Sequence, residues 1–372
     1  SGKPRFLHYV IHTILLLVRH FMFFSRKAKP ATQKVAAILA TYFSVDVEDT
    51  LPWCAFTHPD NESAGITVTL PFCIATQLDA LKQTVLEQLE SKFDASKLTF
   101  KHKVASGETE VAPVTNIKNI IAVASGKGGV GKSTTSINLA FALMQEGAKV
   151  GILDADIYGP SQPVLLEASS EEIDVKDNKL LIPLNKKGIK FISMGLIARD
   201  QKPVIWRGPM VSGAVMQLMS QTDWQELDYL IIDTPPGTGD VQLTLLQRLP
   251  LNGAIVVTTP QDVSTSDTRK GIEMIKRLEL PILGLIENMS FFKPSDSEKK
   301  YFIFGKGGGR NLATEYGLEL LSEIPLLEKK EFVILYELND YKLIFDSIAK
   351  KVIKNMEIVK KSVSQIIPQK KV

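Results

Sequence analysis

The stretch SGKGGVGKSTTSINLA, residues 125–140, directly follows the apolar run NIIAVAS at 119–125 and continues into a segment with helical periodicity. It matches the pattern G-x-x-x-x-G-K-[ST], which forms a phosphate-binding loop between a strand and a helix. In such a loop the backbone N–H groups converge on the phosphates, the lysine reaches the β and γ oxygens, and the hydroxyl is a ligand of Mg²⁺. The stretch therefore predicts a Mg·ATP site made by Gly126, Lys127, Gly128, Gly129, Val130, Gly131, Lys132, Ser133 and Thr134.

Further apolar runs alternate with helical segments after residue 116. They are KVGILDAD, IKFISMG, LDYLIIDT, GAIVVTT and ILGLIEN, at residues 149–156, 189–195, 227–234, 253–259 and 282–288. Continuous runs separated by helices are typical of buried parallel strands, so the pattern predicts an α/β fold with a doubly wound, mostly parallel sheet. The functional loops of such a sheet lie at the carboxyl ends of its strands.

Aspartates at the ends of two of these strands are the candidate carboxylates of the site. Asp233 ends the strand of YLIIDTPPGTGD and is expected to hold Mg²⁺ through water, with residues 235–237 as a mobile switch. Asp154 and Asp156 end the strand of ILDADIYGPS, where alternation would point both to the same side. We assign Ser133, Asp154 and Asp233 to Mg²⁺ and Asp156 to orienting the attacking water, because phosphoryl transfer depends mainly on positioning. The alternative for Asp156 is a solvated turn.

The order of the motifs resembles that of the Mrp/ApbC family of iron–sulfur cluster carrier ATPases, over about residues 116–325. The segments that carry the resemblance are SGKGGVGKSTTSINLA, GILDADIYGPSQP, WRGPM (206–210), DYLIIDTPPGTGD, VVTTPQDVS (256–264), IENMSFF and IFGKGGG (303–309). The resemblance implies a Mg·ATP-dependent ATPase that acts in iron–sulfur assembly with client or scaffold proteins. It places Asn288, Pro260 and Asp262 near the adenine.

The loop also has the form G-K-G-G-x-G-K-[ST], with Lys127 as its first lysine. In the class of ATPases with this deviant pattern, that lysine crosses a dimer interface to the phosphates of the partner's nucleotide. The resemblance thus implies a nucleotide-sandwich homodimer, in which Lys127, Lys132 and Asp156 are the catalytic residues. The alternative for Lys127 is an ordinary solvated lysine.

The cluster ligands of the resembled family are missing. Family members follow ENMS with C-x-x-C, and a pair from each subunit ligates a [4Fe–4S] cluster across the dimer axis. Here ENMS is followed by FFKPSDSEKK, residues 291–300, which includes Lys293, Pro294, Ser295, Asp296 and Ser297 but no cysteine. Hard oxygen ligands are poor substitutes for thiolates, so we identify no iron–sulfur ligand in this segment. The chain's two cysteines, Cys54 and Cys73, are expected to be small buried residues.

The rest of the chain is predicted to divide around the ATPase domain. The division is a basic and apolar extension at 1–30, a small α+β domain at 31–105, a linker at 106–115, the ATPase domain at 116–345, and a C-terminal helix and basic tail at 346–372. The small domain is expected to contain helices at 34–43 and 76–93 and strands at 65–74 and 97–104, with a loop at 49–64. The apolar run at 8–24 is too short, and too interrupted by Arg19 and His20, for a bilayer span.

Composition excludes some classes of function. A net charge of +3 is too small to indicate a nucleic-acid-binding face, so no nucleic-acid partner is expected. Two cysteines rule out a disulfide scaffold and fit a reducing compartment, which predicts a cytoplasmic protein.

A second class of function stays open, a positioning or regulatory switch ATPase related to MinD and ParA that carries no cluster. The basic amphipathic segment 345–367 would favour it by binding a membrane or protein partner. The simpler interpretation of this segment is a packed closing helix with a solvated lysine face. A metabolic kinase would need an acceptor pocket, which no motif indicates.

Overall fold

The computed structural model describes residues 31–57, 65–89, 97–107, 109, 111–112, 114–177, 179–197, 208–326 and 334–366. The chain forms two compact units, Ser1–Val104 and Ala105–Val372. The predicted extension at 1–30 and the first two residues of WRGPM lie outside the described residues. The finer division into domains stays a prediction.

The N-terminal unit is a small α+β structure. Its elements are α1 (31–43), α2 (Val47–Thr50), β1 (Cys54–Thr57), β2 (Gly65–Leu70), α3 (Leu78–Gln88) and β3 (Leu98–His102). β2 is the central strand, antiparallel to β1 and parallel to β3. The predicted loop at 49–64 is wrong in part, because it contains β1. The predicted strand at 65–74 ends instead at Leu70, since Pro71 has no N–H to donate to a ladder.

The C-terminal unit contains a large sheet surrounded by helices. Its elements are β4 (Ile120–Ser125), α4 (Lys132–Gln145), β5 (Val150–Asp154), α5 (Gln162–Leu165), β6 (Val175–Lys176), β7 (Leu180–Leu181), β8 (Leu184–Lys186), β9 (Ile189–Ser193), α6 (Met194–Ile197), α7 (Gly208–Gln221), β10 (Tyr229–Asp233), α8 (Asp240–Arg248), β11 (Gly253–Thr258), α9 (Asp262–Arg277), β12 (Ile282–Glu287), α10 (Gly308–Tyr316), β13 (Leu320–Glu323) and α11 (Asn339–Ile366).

The large sheet has eight strands in the order β13-β12-β11-β4-β10-β5-β9-β8. All neighbours are parallel except β8, which pairs with β9 in the antiparallel sense. All six apolar runs predicted as strands form strands of this sheet, so the predicted doubly wound α/β class is confirmed.

Because successive side chains of each strand point to opposite faces of the sheet, buried residues pack on both faces. On one face, Ala122, Leu153 and Ile232 pack in a cluster with Val215 of α7 and Ile272 of α9, all fully buried. On the other, α4 packs against β4, β5 and β10 and is itself covered by α11. Burying a single large aliphatic side chain contributes about 1.5–3 kcal/mol, so these two layers stabilise the sheet that carries the site.

Helix α11 closes the second layer. Phe345, Ile348, Ala349 and Val352 are fully buried, and α11 contacts α4. The helix begins at Asn339, before the predicted boundary at residue 346. Its buried side chains therefore form the packed face of a closing helix. Within the described part of the chain, no helix is both long enough and apolar enough to cross a membrane.

Candidate functional site

The phosphate-binding loop, residues 126–131, joins β4 to α4 and depends on its glycines. Gly129 and Gly131 have φ angles of 79° and 84°, in the left-handed region that disfavours other residues. A Cβ on Gly131 would lie 2.1 Å from Nδ2 of Asn288, and one on Gly126 would lie 2.4 Å from the carbonyl carbon of Asp267. The loop thus passes close to α9 and to the end of β12, and ends at the N-terminus of a 14-residue helix, where backbone N–H groups favour anions.

Lys132, the first residue of α4, is buried and forms an ion pair with Asp233. Its Nζ lies 2.5 Å from Oδ1 of Asp233, and the two side chains are 6% and 0% exposed. The pair forms because β10 lies beside β4, with Asp233 opposite Val123 at the carboxyl end. Ser136 Oγ, one turn along α4, donates to the same carboxylate oxygen over 3.2 Å. A phosphate bound by the loop would compete with Asp233 for this ammonium group.

Asp154 lies at the end of β5, directly opposite Asp233 in the parallel register. It is fully buried, and its carboxylate accepts hydrogen bonds from the Ser193 hydroxyl at 3.0 Å and from the backbone N–H of Asp156 at 3.1 Å. Burial, and next the negative charge of Asp233, raise the pKa of Asp154 to about 8. The raised pKa of Asp154 reflects the cost of a second negative charge buried beside Asp233, a cost that a bound cation would offset.

Asp156 follows β5 and is 8% exposed. Its Oδ1 accepts backbone N–H bonds from Tyr158 at 3.2 Å and Gly159 at 3.1 Å. The side chain therefore does hold a turn, as the alternative interpretation required. Asp156 itself is buried, whereas Tyr158 in the turn is 68% exposed. Asp156, Tyr158, Pro235, Pro236 and Gln242 are among the residues lining a cavity of about 480 Å³, so the predicted switch borders the same space as Asp156.

Gln162, which the sequence reasoning missed, joins these groups. It is fully buried, and its Nε2 donates to the backbone oxygen of Ser133 at 2.9 Å and to Oδ2 of Asp233 at 3.0 Å. The available signal was its position in GPSQP, shortly after Asp154 and Asp156. Ser136 was also missed, although its spacing of four from Lys132 puts both on one helix face.

Residues predicted at the adenine and the dimer interface lie around the loop. Asn288 Nδ2 donates to the backbone oxygen of Val130 at 2.9 Å. Lys127 is half-buried, and its Nζ lies 3.3 Å from Oε1 of Gln261, between the predicted Pro260 and Asp262. Pro260 is buried, whereas Asp262 is exposed at the start of α9. Asn288 thus contacts the loop, Lys127 of the loop contacts Gln261, and the Asp262 side chain is exposed; their roles at the adenine and in a dimer stay predictions.

The segment at the expected position of the cluster ligands forms a hairpin, residues 291–302. Phe292 and Tyr301 exchange backbone hydrogen bonds of 2.8 Å, and Lys293 forms a 2.7 Å ion pair with Glu298. Lys300 lies over the Phe291 ring, 4.1 Å from its centroid. The structure therefore puts an ordinary hairpin, held by backbone and lysine contacts, where the family pattern puts thiolates.

The two cysteines lie in the N-terminal unit. Cys54 is half-buried and Cys73 is buried. Burial raises the pKa of the Cys54 thiol to about 11, which disfavours the thiolate that a metal requires. Among the residues that the structure describes, no group of three or more histidine, cysteine, aspartate or glutamate side chains could hold a metal ion.

Comparisons with known proteins agree with this geometry. An iron–sulfur cluster carrier protein from Pseudomonas fragi is 52% identical over 220 residues, 59% of this chain and 77% of the relative. The iron–sulfur cluster carrier protein of Escherichia coli (strain K12) is 44% identical over 270 residues, 72% of this chain and 73% of the relative. A solved nucleotide-binding protein from Archaeoglobus fulgidus, in complex with ADP and with cobalt, is 35% identical with a TM-score of 0.51, covering 63% of this chain and 88% of its own.

The family described as ParA: NUBPL iron-transfer P-loop NTPase matches residues 116–361, about two thirds of the chain. This match and the relatives confirm the resemblance drawn from the motifs. The chain belongs to this family of iron-transfer P-loop NTPases.

Proposed function

We propose that the protein binds and hydrolyses Mg·ATP at the loop 126–131 and acts as a carrier in iron–sulfur cluster assembly, as the names of its relatives state for those proteins. The observation that carries the proposal is the buried Lys132–Asp233 ion pair at the start of α4, in a chain of the iron-transfer family. In a P-loop the lysine that follows the glycines reaches the β and γ phosphates, and Lys132 occupies this position in the loop.

The residues present fit Mg²⁺ and a nucleotide. The donor set consists of hard oxygens, the Ser133 hydroxyl with the Asp154 and Asp233 carboxylates, and such ligands suit Mg²⁺. The loop fits phosphates because side chains at Gly126 and Gly131 would collide with neighbouring residues. When bound, Mg²⁺ neutralises the negative charge on the phosphate oxygens.

The chain's own residues would divide the remaining work. Lys132 moves from Asp233 to the β and γ oxygens, and the backbone N–H groups of the loop orient the phosphates. Asp156 has Oδ1 held by two backbone N–H groups, which leaves Oδ2 to accept a hydrogen bond from the attacking water. Lys127 acts in trans in a homodimer, and the adenine lies against Asn288 and Pro260.

An iron–sulfur cluster would be cargo, and the hairpin 291–302 does not fit it, because oxygen and ammonium groups replace soft thiolates there. This misfit favours a second candidate function, a switch ATPase that contacts iron–sulfur client or scaffold proteins without holding a [4Fe–4S] cluster itself. In either case we propose a homodimer that works in the cytoplasm, and membrane contact is not part of the proposal.

A pair of lysine variants tests the nucleotide site. Lys132→Ala should abolish binding of Mg·ATP or lower phosphate release by about 10²–10³-fold, because the phosphates lose a preorganised charge. Lys118→Ala is the matched control, since Lys118 also pairs with an aspartate, Asp228 at 2.8 Å, outside the loop. Calorimetry and phosphate release should show a normal control and an inactive Lys132 variant. Equal turnover in both variants would refute the assignment of the site.

A further inference from the structure

Gln162 touches all three residues that we assign to Mg²⁺. Besides its amide contacts with Ser133 and Asp233, its backbone N–H donates to Oδ2 of Asp154 at 3.3 Å. The residue is 0% exposed and follows Ser161 in the segment after β5. One side chain and its own backbone therefore link the first turn of α4 to the ends of β5 and β10.

The orientation of the amide follows from its neighbours. Nε2 faces two acceptors, a backbone carbonyl and a carboxylate, so an exchanged amide would place an oxygen against two oxygens. In this orientation Oε1 is buried and has no hydrogen-bond partner among the described residues. An unpaired buried acceptor is unfavourable, and it persists here beside carboxylates proposed to hold a cation.

We propose that Gln162 is a positioning residue for Mg²⁺, an inference that rests on the proposed nucleotide site. Its amide fixes the Asp233 carboxylate and the backbone of Ser133, while its N–H fixes Asp154. The two carboxylates repel each other, and a neutral donor between them holds their orientation without taking the place of the cation.

The contrast with Lys132 explains why a neutral residue is suited to this position. Lys132 also binds Asp233, at 2.5 Å, but phosphates compete for its charge. The amide of Gln162 carries no charge, so it keeps Asp233 in place when the lysine turns to a nucleotide. A glutamate at 162 would instead add a third carboxylate to the buried group.

Binding of ADP, measured by calorimetry in EDTA and over a series of Mg²⁺ concentrations, tests the inference in the full chain. Gln162→Met keeps the length of the side chain and removes both donor hydrogens. Its affinity for ADP in EDTA should match that of the wild type, while the Mg²⁺ concentration that gives half of the Mg²⁺-dependent gain should rise by about 10–100-fold, as for other residues that orient metal ligands.

Asn119→Leu is the matched control, because Asn119 is also 0% exposed, its Nδ2 also donates two hydrogen bonds, and its Oδ1 has no partner within the described residues. No hydrogen bond in that part of the chain joins it to Ser133, Asp154 or Asp233, so its Mg²⁺ dependence should stay that of the wild type. Gln162→Asn keeps a buried amide but falls one carbon short. It should change the Mg²⁺ requirement in the same direction, and it replaces Gln162→Met if that variant does not fold.

The outcomes separate the two proposals. If the ADP affinity of the wild type did not depend on Mg²⁺, the proposed nucleotide site would be overturned. If the ADP affinity of the wild type and of the Gln162 variants depended on Mg²⁺ concentration equally, only the role of Gln162 would be overturned. Loss of ADP binding in EDTA by the Gln162 variants but not by Asn119→Leu would show that Gln162 shapes the loop rather than the metal site, which also contradicts the inference.

Discussion

Gly131→Ala should destabilise the C-terminal unit by about 2–5 kcal/mol. At φ 84° an alanine pays about 1–2 kcal/mol for the left-handed conformation. Its Cβ would also lie 2.1 Å from Nδ2 of Asn288, which must move away and give up its 2.9 Å hydrogen bond to Val130. Leaving these buried groups unpaired costs about 1–3 kcal/mol more.

Two companion variants separate the backbone effect from the collision. Gly129 has a φ angle of 79°, but a Cβ there meets nothing within 4 Å, so Gly129→Ala should cost only about 1–2 kcal/mol. Asn288→Ala removes the atom that collides. In that background Gly131→Ala should cost no more than Gly129→Ala, which corresponds to a coupling of about 1–3 kcal/mol in the double-mutant cycle.

Urea unfolding followed by the fluorescence of Trp224 is the assay. Trp224 is 2% exposed in the C-terminal unit, and replacing the other two tryptophans, Trp53 and Trp206, by phenylalanine leaves it as the only reporter. Equal losses for Gly129→Ala and Gly131→Ala, or strict additivity with Asn288→Ala, would refute the reasoning, since either result means that the loop does not press against Asn288.

Lys127→Ala should retain nucleotide binding in the monomer but lose hydrolysis and ATP-induced dimerisation, and identical dimers of wild type and variant in sedimentation would contradict a nucleotide sandwich. Protein reconstituted anaerobically should bind far less than one [4Fe–4S] cluster per dimer by iron and sulfide analysis, because the hairpin 291–302 contains no cysteine; cluster absorption that disappears in a Cys54→Ser, Cys73→Ser variant would show that the ligands had moved. Phe345→Ala should cost about 3–5 kcal/mol in the Trp224 assay, whereas Leu343→Ala, at a position 70% exposed on the same helix, should stay within about 0.5 kcal/mol. Equal effects at the two positions would mean that α11 is not packed on α4.

The central strands could be predicted because their physical requirements are local. A parallel strand covered on both faces must be apolar throughout, and β4, β5, β10 and β11 are buried along their whole lengths. The edge strands β8 and β13 lack this signal, since each has three or four residues, most of them half-buried. These two segments are strands because each pairs with a neighbouring strand, and the residue pattern of a single segment does not show such pairing.

Some residues of the candidate site can also be predicted from the sequence and others cannot. The loop glycines, Lys132 and Asp233 can be predicted, because they belong to motifs whose spacing is fixed by phosphate geometry. Gln162 cannot be predicted in this way, because its contacts with Ser133 and Asp233 depend on the path that the chain takes between β5 and α5. A glutamine before a proline in a polar segment is most often a solvated loop residue, and only the tertiary structure shows it buried between two aspartates.

The residues ENMS, at 287–290, have reasons to be present that are independent of any cluster. Glu287 is 1% exposed, and its two carboxylate oxygens accept hydrogen bonds from the Ser290 hydroxyl and from the backbone N–H of Gly309 at the start of α10. Asn288 holds the carbonyl of Val130 in the phosphate-binding loop. The segment thus ties β12 and α10 to the loop 126–131, and these contacts involve none of residues 291–302. The packing of β12, α10 and the loop therefore accounts for ENMS whether or not a cluster binds nearby, so ligands can be absent from residues 291–302 while these contacts are kept.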